Sequence, residues 1–120
     1  MAVSDSYQAF ILEQLSRVLP AVRSRKMFGG VGVYSDDLFF ALLDNDTLYF
    51  KVDDVTRGSF EARGSGPFRP FGEGGEVMQY YEVPGDLIED IEALTEWATA
   101  AVGVARRALG RRSRKKPLKG

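Results

Sequence analysis

At 120 residues, 44 % of them apolar and with eight Phe, five Tyr and one Trp, the chain suits one domain built on one core. It has no cysteine and no histidine, which excludes disulfides, thiolate metal centres, thiol nucleophiles and imidazole proton transfer. The net charge of −1 conceals a division: residues 1–105 hold eight basic and all seventeen acidic side chains, while residues 106–120 hold eight basic and no acidic ones.

In chain order, Met-Ala-Val-Ser-Asp-Ser carries no basic stretch before an apolar run and does not read as a signal peptide. No segment approaches the roughly 18 continuous apolar residues of a membrane span, so a cytoplasmic protein is expected. A first helix is predicted from about Ser6 to Leu19, with Tyr7, Phe10, Ile11, Leu15, Val18 and Leu19 forming one apolar stripe. Ser4 or Ser6 is the expected cap, and Pro20 ends the pattern.

Three strands are predicted at about Arg23–Phe28, Val31–Tyr34 and Leu38–Leu43. Ser35-Asp36-Asp37 and Asp44-Asn45-Asp46 read as hairpin turns, the second leading into a fourth strand over Thr47–Val52. Connections this short require antiparallel neighbours. A short helix to about Ala62 follows, capped by Asp53 or Asp54, with Val55 and Phe60 as its large apolar residues. Residues 63–75 contain five glycines and two prolines and read as a loop, which Phe68 and Phe71 could anchor into the core. A fifth strand fits Val77–Val83. After Pro84-Gly85, Asp86 is the expected cap of a long helix carrying Leu87, Ile88, Ile91, Leu94, Ala98, Ala101, Val102, Ala105 and Leu109 on one face. Gly110 is the expected stop, with a disordered basic tail beyond it. The class is α+β: an antiparallel sheet of four to five strands packed against an N-terminal helix and a long C-terminal helix. Residues 1–109 form the domain and 110–120 the tail.

Several segments are candidate sites. Arg25, Lys26, Phe28, Gly29 and Gly30 place basic side chains beside consecutive glycine amides, a pattern able to cradle an anion or contact a partner. The spacing is neither a dinucleotide fingerprint nor a Walker loop, and the structural reading is a bent sheet or a close backbone approach. The second glycine cluster, 64–75, is either a binding loop or an ordinary connection. The pairs Asp36/Asp37, Asp44/Asp46 and Asp53/Asp54 fall where turns and caps use Asp for local hydrogen bonds, so no magnesium or other metal site is expected. Tyr80 and Tyr81 alternate across a strand, so one of them is a candidate contact if it is exposed, and otherwise both pack in the sheet. In the tail, Arg106, Arg107, Arg111, Arg112, Arg114, Lys115, Lys116 and Lys119 form an electrostatic hook suited to non-specific phosphate contact, or simply a solubilising end. No cofactor is expected.

The stretch Arg25-Lys-Met-Phe-Gly-Gly-Val-Gly-Val-Tyr34, then Leu38-Phe-Phe-Ala-Leu42 and Leu48-Tyr-Phe-Lys-Val-Asp53, resembles the N-terminal domain of the TfoX/Sxy family. Arg57 with Phe60, Gly66-Pro-Phe68, Met78-Gln-Tyr-Tyr-Glu-Val-Pro84, Asp86-Leu87, Leu94-Thr-Glu-Trp97 and Ala105-Arg-Arg-Ala108 agree in order. The resemblance covers roughly residues 6–109. It implies a compact α+β domain with helices packed on an antiparallel sheet. It also implies a link to natural competence, since the two-domain members are regulators that help a cyclic-AMP-responsive transcription factor. It brings no catalytic residue to carry over, and residues 110–120 are expected to be a short basic tail in place of the second helical domain of those regulators. The expectation is therefore a non-enzymatic interaction or regulatory module with an unidentified protein partner, open to homodimer formation. The alternative is a small anionic-ligand binder or weak enzyme using the glycine-rich loops.

Overall fold

The computed structural model describes residues 3–27, 29–70 and 79–115. Helix α1 (Asp5–Ser16) is capped by Ser4, whose side chain accepts the Tyr7 amide. It ends before Pro20, and Val18 and Leu19 are held in a turn by their amides on the Leu15 carbonyl. Its stripe is narrower than the spacing predicts. Ile11 and Leu15 are fully buried, but Phe10 is 41 % exposed.

Strands β1 (Val22–Met27), β2 (Gly30–Ser35), β3 (Leu38–Asp44), β4 (Thr47–Lys51) and β5 (Tyr80–Glu82) form one antiparallel sheet in sequence order. The turns explain the meander. Asp36, Asn45 and Asp46 all have φ of +52°, the left-handed region that Asn and Asp tolerate best among residues with a Cβ. Between β2 and β3 the register shifts at Val33/Tyr34, leaving Phe40 as the extra residue of a bulge. The fifth strand is shorter than predicted, and Val77 and Met78 lie outside the described residues. Its outer edge is extended by Gly66–Phe68, where the Glu82 amide donates to the Gly66 carbonyl and the Phe68 amide to the Tyr80 carbonyl.

Asp53 closes the turn before the next helix, accepting the Val55 and Thr56 amides, and does not cap the helix itself, whose N-cap position is Thr56. The helix itself, α2 (Arg57–Ala62), begins later. Val55 therefore falls in the turn and is 81 % exposed, whereas Phe60 is buried. Gly64, at φ +80°, closes α2. Its amide bonds to the Glu61 carbonyl and the Ser65 amide to the Phe60 carbonyl, so this glycine is a helix stop.

The predicted C-terminal helix is two helices, α3 (Gly85–Glu89) and α4 (Ile91–Lys115). Asp86 does not cap α3, which has no side-chain cap. The chain breaks at Asp90, whose extended backbone lets its carboxylate accept the Glu92 and Ala93 amides. At the other end, α4 runs through Gly110 to Lys115, so Gly110 is no stop and the helix crosses the expected domain–tail boundary. At about 1.5 Å per residue, α4 is about 37 Å long.

The helices gather on one face of the sheet. Val31, Val33, Ala41, Leu43, Leu48, Phe50 and Tyr81 meet Ile11 and Leu15 of α1, Leu87 and Ile88 of α3, and Leu94, Ala98 and Ala101 of α4 in one buried cluster. Gln14 is buried with them, its amide nitrogen donating to the Ile88 carbonyl and tying α1 to α3.

Candidate functional site

Alternation along β1 sends Arg25 to the sheet face opposite the helices and Lys26 to the helix side. Both are exposed, but they do not converge. Lys26 borders a recess of about 430 Å³ between the start of α1 and the β1–β2 hairpin, which Asp5 and Gln8 also line. At the head of α1 the N-cap residue is already matched with a carboxylate: Asp46 accepts the Ser4 amide at 2.7 Å and the Ser4 hydroxyl at 3.1 Å. Gly29 turns the hairpin at φ +78°, and Gly30 passes so close to β3 that a Cβ would lie 2.5 Å from the Leu43 carbonyl oxygen. These two glycines thus have structural reasons, and the structure does not bring Arg25 and Lys26 together as an anion cradle. Phe28 lies outside the described residues.

Tyr80 and Tyr81 are both buried, at 4 % and 8 % exposure, so neither offers the exposed ring that a contact role requires. Tyr81 faces the helix side, where its hydroxyl donates to Glu61 at 2.9 Å and its ring meets Phe60. Phe60 in turn lies edge-on to Trp97 of α4, centroids 4.7 Å apart. Burial, and then the bond to Glu61, pushes the Tyr81 phenol up. Tyr80 lies on the opposite sheet face beside Phe39, under the Lys51 ammonium, and burial pushes its phenol up to about 12. That face carries a row of rings: Phe39 stacks on Tyr34 beneath Arg23, and Tyr49 packs on Phe68. Phe68 anchors its segment to this outer face and not, as predicted, into the core, because Tyr49 points away from the buried Leu48 and Phe50. Phe71 lies outside the described residues.

Among the basic residues, Arg106 is exposed and Arg107 belongs to the folded body. Its guanidinium donates to Asp53 at 2.8 Å, joining α4 to the β4–α2 connection. Burial acts to raise the Asp53 pKa, but the Arg107 hydrogen bond and the Thr56 and Val55 amides outweigh it, so the carboxyl lies below its ordinary value. Arg111, Arg112, Arg114 and Lys115 occupy the last turns of the α4 backbone, continuous with the body. Lys116 and Lys119 lie outside the described residues. Sequence reasoning missed the Asp53–Arg107 pair, since no local pattern links residues 54 positions apart. The pairs Arg23–Asp37, Arg57–Asp54 and Arg63–Asp86 involve exposed carboxylates and hold no site.

The described residues thus define an α+β domain with helices on one sheet face, an aromatic second face and a cationic helix end. Residues 13–105 match the model of the TfoX N-terminal domain, and the chain belongs to that family. No curated protein matches the chain. No described helix is long and apolar enough to cross a membrane.

Proposed function

We propose that the protein is a non-enzymatic interaction and regulatory module of the cytoplasm. It meets a protein partner through its folded body and holds nucleic-acid phosphates, without sequence preference, through the cationic end of α4. Family membership supports the regulatory reading, including a connection to competence or transcription control. The observation that carries the phosphate contact is the run of α4 beyond its last core residue, Ala105, into Arg106–Lys115, with Leu109 51 % exposed between them. The helical backbone that continues from the core carries these cations, and its C-terminal dipole is matched by positive charge.

The test is titration of a generic duplex at several salt concentrations, using the full chain and a chain ending at Gly110. The full chain is expected to bind with log K falling by about 0.9 per phosphate contacted for each decade of salt. The truncated chain is expected to lose that binding. Equal binding by both chains, or none by either, rejects the phosphate contact. A structured protein partner is tested separately, by recovering the same protein from extract with both chains.

A further inference from the structure

We infer that α4 is a self-recognition helix, pairing antiparallel with α4 of a second copy of this chain. Its charges are segregated along the axis. Glu92 and Glu96 occupy the N-terminal turns, every charged residue from Arg106 to Lys115 is basic, and no charged residue lies between Trp97 and Ala105. The charges are also presented outward: Glu92, Glu96, Arg106 and Arg107 are exposed, together with Thr99 and Ala100, on the side away from Leu94, Ala98, Ala101 and Ala105. Glu92, Glu96 and Arg106 have no ion pair among the described residues.

A parallel pair would set like charges against each other, whereas an antiparallel pair about a two-fold axis sets each acidic half on a basic half. The sequence positions suit one such axis, midway between Ala100 and Gly103. Glu96 and Arg107 then lie equally far from it on opposite sides, as do Glu92 and Arg111. Each Glu96 thus comes opposite Arg107 of the second copy. A guanidinium has five N–H donors, so Arg107 can keep its bond to Asp53 and donate to this further carboxylate. At the axis itself Thr99, Ala100 and Gly103 are small, and interaxial distance falls with side-chain size at the crossing. Towards the outer face a Cβ on Gly103 would meet only the Arg107 guanidinium, at 3.4 Å. The pairing is closed and isologous, so it stops at a dimer. It does not depend on the phosphate contact proposed above.

Sedimentation equilibrium of the full chain is expected to show a dimer at about 0.05 M salt that dissociates towards about 0.5 M, where screening shortens to a few ångströms. A chain with Glu92→Arg and Glu96→Arg, and another with Arg107→Glu and Arg111→Glu, are each expected to be monomeric, and their mixture to form a heterodimer. Because the protein has no cysteine, a second measurement reads the geometry without charge changes. Ala100→Cys, near the axis, is expected to cross-link to its own kind with a short bis-maleimide. Thr95→Cys, whose two copies would stand about 20 Å apart along the helices, is not. A chain that stays monomeric at low salt overturns the inference, even if it binds duplex. So does a dimer indifferent to the Glu92/Glu96 reversal, or Thr95→Cys cross-linking as readily as Ala100→Cys.

Discussion

Asp46 does two things that are separately visible in the chain and meet only in the fold. It sits at φ +52° in the β3–β4 turn, and its carboxylate takes the Ser4 amide and hydroxyl at the head of α1, 42 residues away. Asp46→Ala is expected to cost about 1–2 kcal/mol, from a lost cap contact and a Cβ-bearing residue with no local hydrogen bond in the left-handed region. Asp46→Gly should recover the backbone part alone. Urea midpoints of the two variants separate these contributions. Tyr7 and Tyr80 are pushed up to about 12, chiefly by burial, with Asp46 and Glu82 adding to the effect at Tyr7 and Tyr34 at Tyr80. Their unfolded value is about 10, so the folded state binds the phenolic protons more tightly. That stability is complete below pH 10 and is lost as pH rises towards 12. Absorbance near 295 nm should show late-ionising phenols in the wild type, and Tyr80→Phe should remove one of them and flatten the alkaline loss.

At the level of elements, β1–β4 fall within a residue or two of their predicted ends, because Asp and Asn at the turns punctuate them. The helices were less legible. Leu87, Ile88, Ile91 and Leu94 keep one helical period across Asp90, so periodicity alone hides the break that its carboxylate cap makes. Asp90→Ala is expected to destabilise the protein by about 1 kcal/mol, read as a lowered thermal midpoint. The Asp53–Arg107 pair pins α4 to the β4–α2 connection. The Asp53 carboxyl is lowered in the folded state, so the contribution is present above its ordinary value of about 3.9 and is lost as pH falls through the lower folded value. Arg107→Met is expected to shrink that acid-side loss, measured as the change in unfolding free energy between pH 6 and pH 2.

Over the whole molecule, the core ends at Ala105 while the helix continues to Lys115. Ending the chain at Gly110 is therefore expected to change folding stability by less than about 0.5 kcal/mol, as surface changes usually do. The same truncation removes six of the eight C-terminal cations, which makes it a clean separation of fold from contact. The −9 body and +8 end were legible as composition, but read as a folded domain and a loose tail. In the structure one helix, α4, carries Glu92 and Glu96 in its first turns and the basic residues in its last, with Arg107 bonded to the body's own Asp53.

The candidate site was the least legible part of the chain. Arg25 and Lys26 are neighbours in sequence and opposites in a strand, and Gly30 answers to a carbonyl on β3, not to a ligand. Tyr80 and Tyr81 likewise divide between the two faces, both buried. What the amino-acid order determined by itself was local: turn residues with tolerance for positive φ, apolar periods of two and of 3.6, and the family motifs that accompany them. Only the tertiary structure decided which side chains meet, because Asp46 with Ser4, Gln14 with Ile88, and Asp53 with Arg107 join elements whose spacing no local period encodes. It also decided that the α4 backbone runs on through Gly103 and into the basic residues, past Ala105, the last residue of the core cluster.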